Sequence, residues 1–138
     1  MASGKRFLFY TFPVLICLFS IFALSSIPHH LKVFQWVFSL DKFAHTIEYY
    51  VLGYLLMRIF ATSPHRIFSR APAVFVIILG VLCGISDEWN QSLVPGRDAS
   101  IHDILFDLLG IVLAGATYRF VRHNVMIIKR AEDMIQRF

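Results

Sequence analysis

Hydrophobic positions along this chain come in long blocks, separated by shorter polar segments. Four of the blocks are close to the roughly 20 residues that a helix needs to cross a bilayer. They are Phe7–Ile27, Phe43–Ala61, Ala71–Trp89 and Ile101–Val121. The pattern predicts an all-α membrane protein in which four transmembrane helices form one bundle, and it predicts a single domain over residues 1–138.

The segments outside the predicted spans differ in chemistry. Residues 62–70 form a short basic turn, and residues 90–100 contain the adjacent chain breakers Pro95 and Gly96. In residues 122–138 apolar side chains recur at helical spacing with arginine and lysine between them, which predicts a basic amphipathic helix on the membrane surface. The first apolar block is longer than the core of a cleavable signal peptide, so we expect it to be retained as an anchor.

Composition supports the membrane assignment. The 138 residues are 57% hydrophobic and only 16% charged, which is less charge than a soluble domain of this length carries. The net charge of +4 does not indicate a nucleic-acid partner, because the basic residues flank the apolar blocks. Cys17 and Cys83 lie inside such blocks, where cysteine acts as a small buried hydrophobe, and the sequence contains nothing like a disulfide framework.

Charged residues divide between the two sides of the predicted bundle. The side with both termini and the turn between the second and third spans carries ten of the 13 basic residues and two of the nine acidic ones, a net of +8. The other side carries three basic and seven acidic residues, a net of −4. Because positive loops stay in the cytoplasm, we expect cytoplasmic termini and an acidic side that faces outward from the cytoplasmic (inner) membrane. The seven acids are Asp41, Glu48, Asp87, Glu88, Asp98, Asp103 and Asp107.

Several of these acids are predicted to lie within the spans themselves. Residues three and four apart share a helix face, which brings polar side chains together in pairs near the outer ends of three helices. Asp107 lies roughly 9 Å inside its span at 1.5 Å per residue. A carboxylate at that depth faces the bundle interior and is a functional candidate. The pairs are His45 with Glu48, Glu88 with Gln91, and Asp103 with Asp107.

In their order along the chain, these residues resemble the VanZ-like family, from about Ser26 to Ala114. The motifs are Ser26-Ile27-Pro28, Asp41-Lys42 followed by His45, Tyr49 and Leu52-Gly53, then Glu88 and Gln91, then Pro95-Gly96-Arg97, and Asp103 in a helix that contains Gly110. Asp107 stands where the family pattern carries an Asn, which adds a charge to the site. The family's namesake is associated with resistance to the glycopeptide teicoplanin. The resemblance therefore implies a role at the cell envelope in glycopeptide susceptibility.

The pattern and the resemblance together give three sets of candidate site residues. The candidates for acid–base catalysis are His45, Glu88, Asp103 and Asp107. The candidates for substrate binding, in which the cations would hold a phosphate or carboxylate, are Lys42, Tyr49, Gln91 and Arg97. The candidate ligands for a divalent metal are Glu48, Glu88, His102 and Asp103, although their spacing matches no established metal motif.

Three classes of function fit this set. The first is an envelope-binding protein whose acidic mouth engages a cell-wall precursor or a membrane partner. The second is a membrane-embedded enzyme, a hydrolase or transferase with or without a metal, acting on a lipid-linked or cell-wall substrate. The third is a transporter, which would have to be a homo-oligomer because four spans are few, and whose site would be expected near the bilayer midplane rather than in its outer third. The expected partners are the lipid bilayer and a lipid-linked or cell-wall precursor.

Overall fold

The computed structural model describes residues 4, 6–28, 41–125 and 130, and the regular elements within them are helices. The elements in chain order are α1 (Phe7–Ser25), α2 (Asp41–Ala61), α3 (Arg66–Arg70), α4 (Pro72–Ser92) and α5 (Ile101–Asn124). The first turn of α1, Phe7–Thr11, is wound as a π-helix. The predicted all-helical fold is confirmed. The four apolar blocks correspond to α1, α2, α4 and α5, and α3 lies in the basic turn.

Helix ends follow local sequence signals. α4 begins at Pro72, whose fixed φ and missing N–H suit the first helical position. Ser100 caps α5, since its Oγ accepts a hydrogen bond from the His102 backbone N–H at 3.2 Å. Between these two helices Gly96 has a φ of 81°, a left-handed conformation that glycine adopts without steric cost. The turn predicted from the Pro-Gly pair therefore separates α4 from α5.

Three helices, α1, α4 and α5, are long and apolar enough to cross a membrane, by length and composition. Many of their large apolar side chains point away from the bundle, as Phe19 (76% exposed) and Leu105 (57% exposed) illustrate. Contiguous exposed apolar surface of this kind marks contact with lipid or with another protein. α2 has 21 residues, as α4 does, but it is less apolar because it carries charged residues such as Glu48 and Arg58.

The long helices alternate in direction, so their ends form two groups. α2 and α5 are parallel: the Thr46 hydroxyl donates to the Phe106 carbonyl near their starts (3.3 Å), and the Tyr54 and Tyr118 rings lie 5.5 Å apart near their ends. α1 and α4 run the opposite way. One end of the bundle therefore contains the ends of α1 and α4 with the starts of α2 and α5.

The opposite end of the bundle is basic. Arg6 precedes α1 and donates to the Thr62 carbonyl just after α2 (3.0 Å). The guanidinium groups of Arg6 and Arg58 lie 5.4 and 5.1 Å from the centre of the buried Tyr10 ring, within cation–π range. The other described arginines at this end are Arg66, Arg70, Arg119 and Arg122.

Small residues let α2 and α5 touch along their backbones. A Cβ on Gly110 would lie 2.8 Å from the Tyr50 nitrogen and 3.1 Å from the Tyr49 carbonyl carbon, so no side chain fits there. At the next residue, the side chain of Ile111 (1% exposed) occupies the space that a side chain at Gly80 of α4 would need. These contacts fix the height of α5 relative to α2 and α4, and so fix which polar residues meet.

Two segments outside the predicted spans fall largely outside the described residues. The connection between the first two spans includes residues 29–40, and the predicted amphipathic helix covers 122–138, of which only 122–125 and Arg130 are described. The first four of these complete α5 and its C-terminal cap at Val125.

Candidate functional site

One end of the bundle holds a group of buried polar side chains, which we call the polar cluster. It lies where α1 and α4 end and where α2 and α5 begin. Each member is at most 6% exposed. The members are Ser25, His45, Asp87, Glu88, Gln91, Asp103 and Asp107.

His45 and Asp107 form the central pair of the polar cluster. Nδ1 of His45 lies 2.9 Å from Oδ1 of Asp107, and the two side chains are 5% and 2% exposed. Gly84 of α4 makes room for this carboxylate, because a Cβ there would come within 2.9 Å of Asp107 Oδ2. A neutral His45 that donates its Nδ1–H to Asp107 carries its lone pair on Nε2. Asp107 therefore sets the orientation and the tautomer of the imidazole.

Asp87 is the most deeply buried acid of the polar cluster, at 0% exposure. Its Oδ2 accepts hydrogen bonds from the Ser25 hydroxyl (2.8 Å) and from the Gln91 side-chain amide (3.0 Å). The Ser25 contact joins the end of α1 to α4, and the Gln91 contact spans one turn of α4. One oxygen of Asp87 is thus held by two neutral donors.

Glu88 and Arg97 close the mouth of the polar cluster. Oε2 of Glu88 accepts the backbone N–H of Ser100 at 2.6 Å, which ties the end of α4 to the cap of α5. Arg97 lies in the turn between these helices and donates to the Ser25 carbonyl at 2.9 Å. That bond satisfies a carbonyl at the end of α1, where helical partners are missing. Arg97 therefore ties the turn to the end of α1, at the mouth of the cluster.

The polar cluster contains a set of groups that could hold a metal ion. One ligand atom from each of His45, Asp87 and Glu88 lies within 4.8 Å of the other two. Donors bound to one zinc ion at about 2.0–2.2 Å are at most about 4.4 Å apart, so small side-chain rotations would complete the site. An imidazole with two carboxylates suits Zn²⁺, Mn²⁺ or Fe²⁺.

Three carboxylate oxygens make this interpretation stronger. Oδ1 of Asp87, Oε1 of Glu88 and Oδ2 of Asp107 are buried and have no hydrogen-bond partner in the part of the chain that the structure describes. A buried carboxylate oxygen without a partner is costly. Within the described part of the chain, the carboxylates of Asp87, Glu88 and Asp107 lie close to one imidazole, with Arg97 at the mouth of the cluster. Protons or a bound cation would neutralise such a group of carboxylates.

The structure brings several of the predicted site residues together and separates others. His45, Glu88, Gln91, Asp103 and Asp107 are members of the polar cluster. Tyr49 is fully buried one helical turn below His45 and belongs to the apolar core. Arg97 lies at the mouth of the cluster, as described above.

Three predicted residues lie away from the cluster. Lys42 is exposed, with its Nζ 5.9 Å from the centre of the Phe106 ring. His102 is exposed at the start of α5. Glu48 is half-buried and lines an apolar groove between α1 and α2. Among the proposed metal ligands only Glu88 belongs to the group of His45, Asp87 and Glu88 whose donor atoms converge.

Sequence reasoning missed Asp87 and Ser25. Asp87 directly precedes Glu88 and so lies about 100° from it around the helix, yet both acids point inward, because α1 and α5 pack on two sides of α4. The signal for Asp87 was its spacing of four from Gln91, which is the spacing of a side-chain hydrogen bond. Ser25 gave no signal, since a serine after an apolar run is an ordinary helix end.

Comparison with protein families matches residues 5–122 to VanZ/LLP1. The chain belongs to the VanZ/LLP1 family. The predicted resemblance is confirmed, and the match includes every residue of the polar cluster. Comparisons with curated proteins and with solved structures found no match. The VanZ/LLP1 assignment and the apolar helices together establish a membrane protein of this family.

Proposed function

We propose that α2 is a fourth membrane span and that the polar cluster faces the extracytoplasmic side of the cytoplasmic membrane. With 21 residues α2 is long enough, and its ionisable His45 faces the bundle interior rather than lipid. The alternating helix directions fit four consecutive crossings. The basic end then lies in the cytoplasm, as the excess of arginine and lysine there requires.

We propose further that the polar cluster binds a divalent cation and that the protein acts through it on a component of the cell envelope, modulating glycopeptide (teicoplanin) susceptibility. The convergence of His45, Asp87 and Glu88 carries this proposal. Asp107 would orient the imidazole, as carboxylates do for metal-bound histidines. The cation would supply a Lewis acid for phosphate or carboxylate oxygens of a lipid-linked or cell-wall precursor. The VanZ/LLP1 assignment supports the envelope role.

Metal content tests the proposal most directly. We expect full-length protein, purified in detergent and equilibrated with Zn²⁺ or Mn²⁺, to retain a stoichiometric divalent ion by elemental analysis. Asp87→Asn should lower the metal content to less than one ion per chain, because it removes an anionic ligand. It keeps the size of the side chain and its capacity to accept a hydrogen bond from Ser25. Asp98→Asn is the matched control: Asp98 is an exposed aspartate near the same end of the bundle.

The outcomes separate a metal site from a polar cluster that binds no metal. Metal lost in Asp87→Asn and His45→Ala but kept in Asp98→Asn supports the proposal. No bound metal in the wild type, even with excess Zn²⁺ and Mn²⁺, would contradict it. Equal metal content in all four proteins would also contradict it, because the metal would then lie elsewhere.

The alternative function is a membrane-embedded hydrolase or transferase, and the buried His45–Asp107 pair favours it. A histidine whose Nδ1–H is held by a carboxylate is a common general base, since its second nitrogen can take a proton from water or a hydroxyl. We expect an enzyme to release product from a lipid-linked cell-wall precursor, as detected by mass spectrometry, and to lose this release in His45→Ala. Precursor that is retained without change by folded wild-type protein would support binding instead of catalysis.

A further inference from the structure

A cavity of about 460 Å³ opens at the basic end of the bundle, opposite the polar cluster. It lies between the end of α2, the short helix α3, the start of α4 and the end of α5. Its volume falls in the range of about 300–1,000 Å³ that is typical of small-molecule sites. Neither the polar cluster nor the proposed cation site includes any residue of its wall.

The charge on the cavity wall has one sign. Arg70 enters from α3, and Arg119 and Arg122 enter from α5, with His123 beside them. No acidic residue among the described ones lines the cavity. Guanidinium groups from two different helices can bind the oxygens of one phosphate through paired hydrogen bonds. The wall is therefore suited to an anion, and to a phosphate in particular.

The rest of the wall indicates a phosphate that belongs to an amphiphile. Met57 and Tyr118, both buried, form part of the cavity and give it apolar surface. The cavity also touches Pro72, the first residue of α4, where the helix has no side-chain cap and where its dipole favours an anion. α4 starts and α5 ends at this level, so the cavity lies where membrane-spanning helices meet lipid headgroups.

We propose that this cavity binds the phosphate group of an anionic phospholipid. Arg70 and Arg119 hold the phosphate, and the apolar wall accommodates the adjoining glycerol and the first acyl carbons. The proposal does not depend on the function of the polar cluster, which lies at the other end of the bundle. On the proposed orientation the lipid belongs to the cytoplasmic leaflet.

Native mass spectrometry of the full-length protein in detergent tests this assignment. Phosphatidylglycerol and phosphatidylcholine with the same acyl chains are titrated separately, and the bound lipids per chain are counted. We expect the wild type to retain phosphatidylglycerol in preference to phosphatidylcholine. The double variant Arg70→Ala/Arg119→Ala should bind phosphatidylglycerol about a hundredfold more weakly, because it loses two charge-assisted hydrogen bonds and each is equivalent to about a tenfold change.

Arg66→Ala is the matched control, because Arg66 is exposed on the same short helix and does not line the cavity. It should bind phosphatidylglycerol as the wild type does. Binding that is weakened equally in Arg66→Ala and in the double variant would reflect general surface charge and would overturn the proposal. Thermal unfolding of each variant verifies that the protein is folded.

Inorganic phosphate separates the two sources of the ligand. We expect it to displace phosphatidylglycerol only at concentrations far above that of the lipid, since it lacks the apolar part. Binding of inorganic phosphate as tight as that of the lipid would overturn the assignment to a phospholipid and would identify a free phosphate as the ligand. Asp87→Asn should leave lipid binding unchanged, so this experiment and the metal experiment can fail independently.

Discussion

Gly110→Ala should destabilise the protein more than any other single added methyl group at a glycine that we describe. The new Cβ would meet backbone atoms of α2, including the Tyr50 nitrogen at 2.8 Å, and backbone cannot rotate out of the way as a side chain can. The two helices would have to separate, and α5 carries Asp107 with it. Overpacking typically lowers the free energy of unfolding by roughly 1–3 kcal/mol, and we expect a decrease at or above the upper end of that range. Thermal unfolding in detergent measures it.

Gly115→Ala provides the matched control on the same helix. A Cβ at Gly115 meets nothing within 4 Å, and alanine is a better helix former than glycine by about 1 kcal/mol. We therefore expect this variant to unfold at or slightly above the wild-type temperature. Equal stability of Gly110→Ala and Gly115→Ala would show that α2 and α5 do not approach each other as closely as described here.

Asp107→Ala should weaken binding of the proposed divalent cation by roughly 10–100-fold, the usual effect of removing a carboxylate that orients a metal-bound histidine. The reason is that His45 would lose the acceptor 2.9 Å from its Nδ1, and with it a fixed ring orientation. Competition with a metal-chelating dye on the purified protein measures the affinity. Thermal unfolding of the same sample separates loss of affinity from loss of fold.

Asp107→Asn distinguishes orientation from charge. Its amide oxygen can still accept the Nδ1–H of His45, and Asn is the residue that the VanZ-like pattern carries at this position. We expect an affinity within a few fold of the wild type. An affinity as low as that of Asp107→Ala would mean that the negative charge of Asp107, and not its role as acceptor, supports the cation. Wild-type affinity in Asp107→Ala would exclude Asp107 from the site.

The location of the site was predictable because it follows from where the acidic residues stand relative to the long apolar blocks. The number of apolar blocks gives the number of long helices. Consecutive helices alternate in direction, so acids at the end of one block and at the start of the next come to the same end of the bundle. This reasoning placed His45, Glu88 and Asp107 at one end, where the structure has them.

The pairing within the site was not predictable, because it depends on how each helix is rotated. Two neighbouring acids, Asp87 and Glu88, both point inward only because α4 packs against other helices on two sides. By its spacing Glu48 shares a helix face with His45, yet Glu48 lies toward α1. The reason is that α2 packs against α1 as well as against α5. Such rotations are set by side-chain shapes across the bundle and not by spacing within one helix.

The parallel contact between α2 and α5 has a consequence for how the protein is made. In the proposed four-span arrangement each helix inserts as it leaves the ribosome, so His45 enters the membrane before Asp107, 62 residues later in the chain, has been synthesised. During that interval the histidine and the first acids lack the partners that later surround them, and the ends of the early helices that carry these residues can remain near the aqueous boundary. The site is therefore assembled by the last span to insert, and a chain that stops before α5 has no completed site to expose.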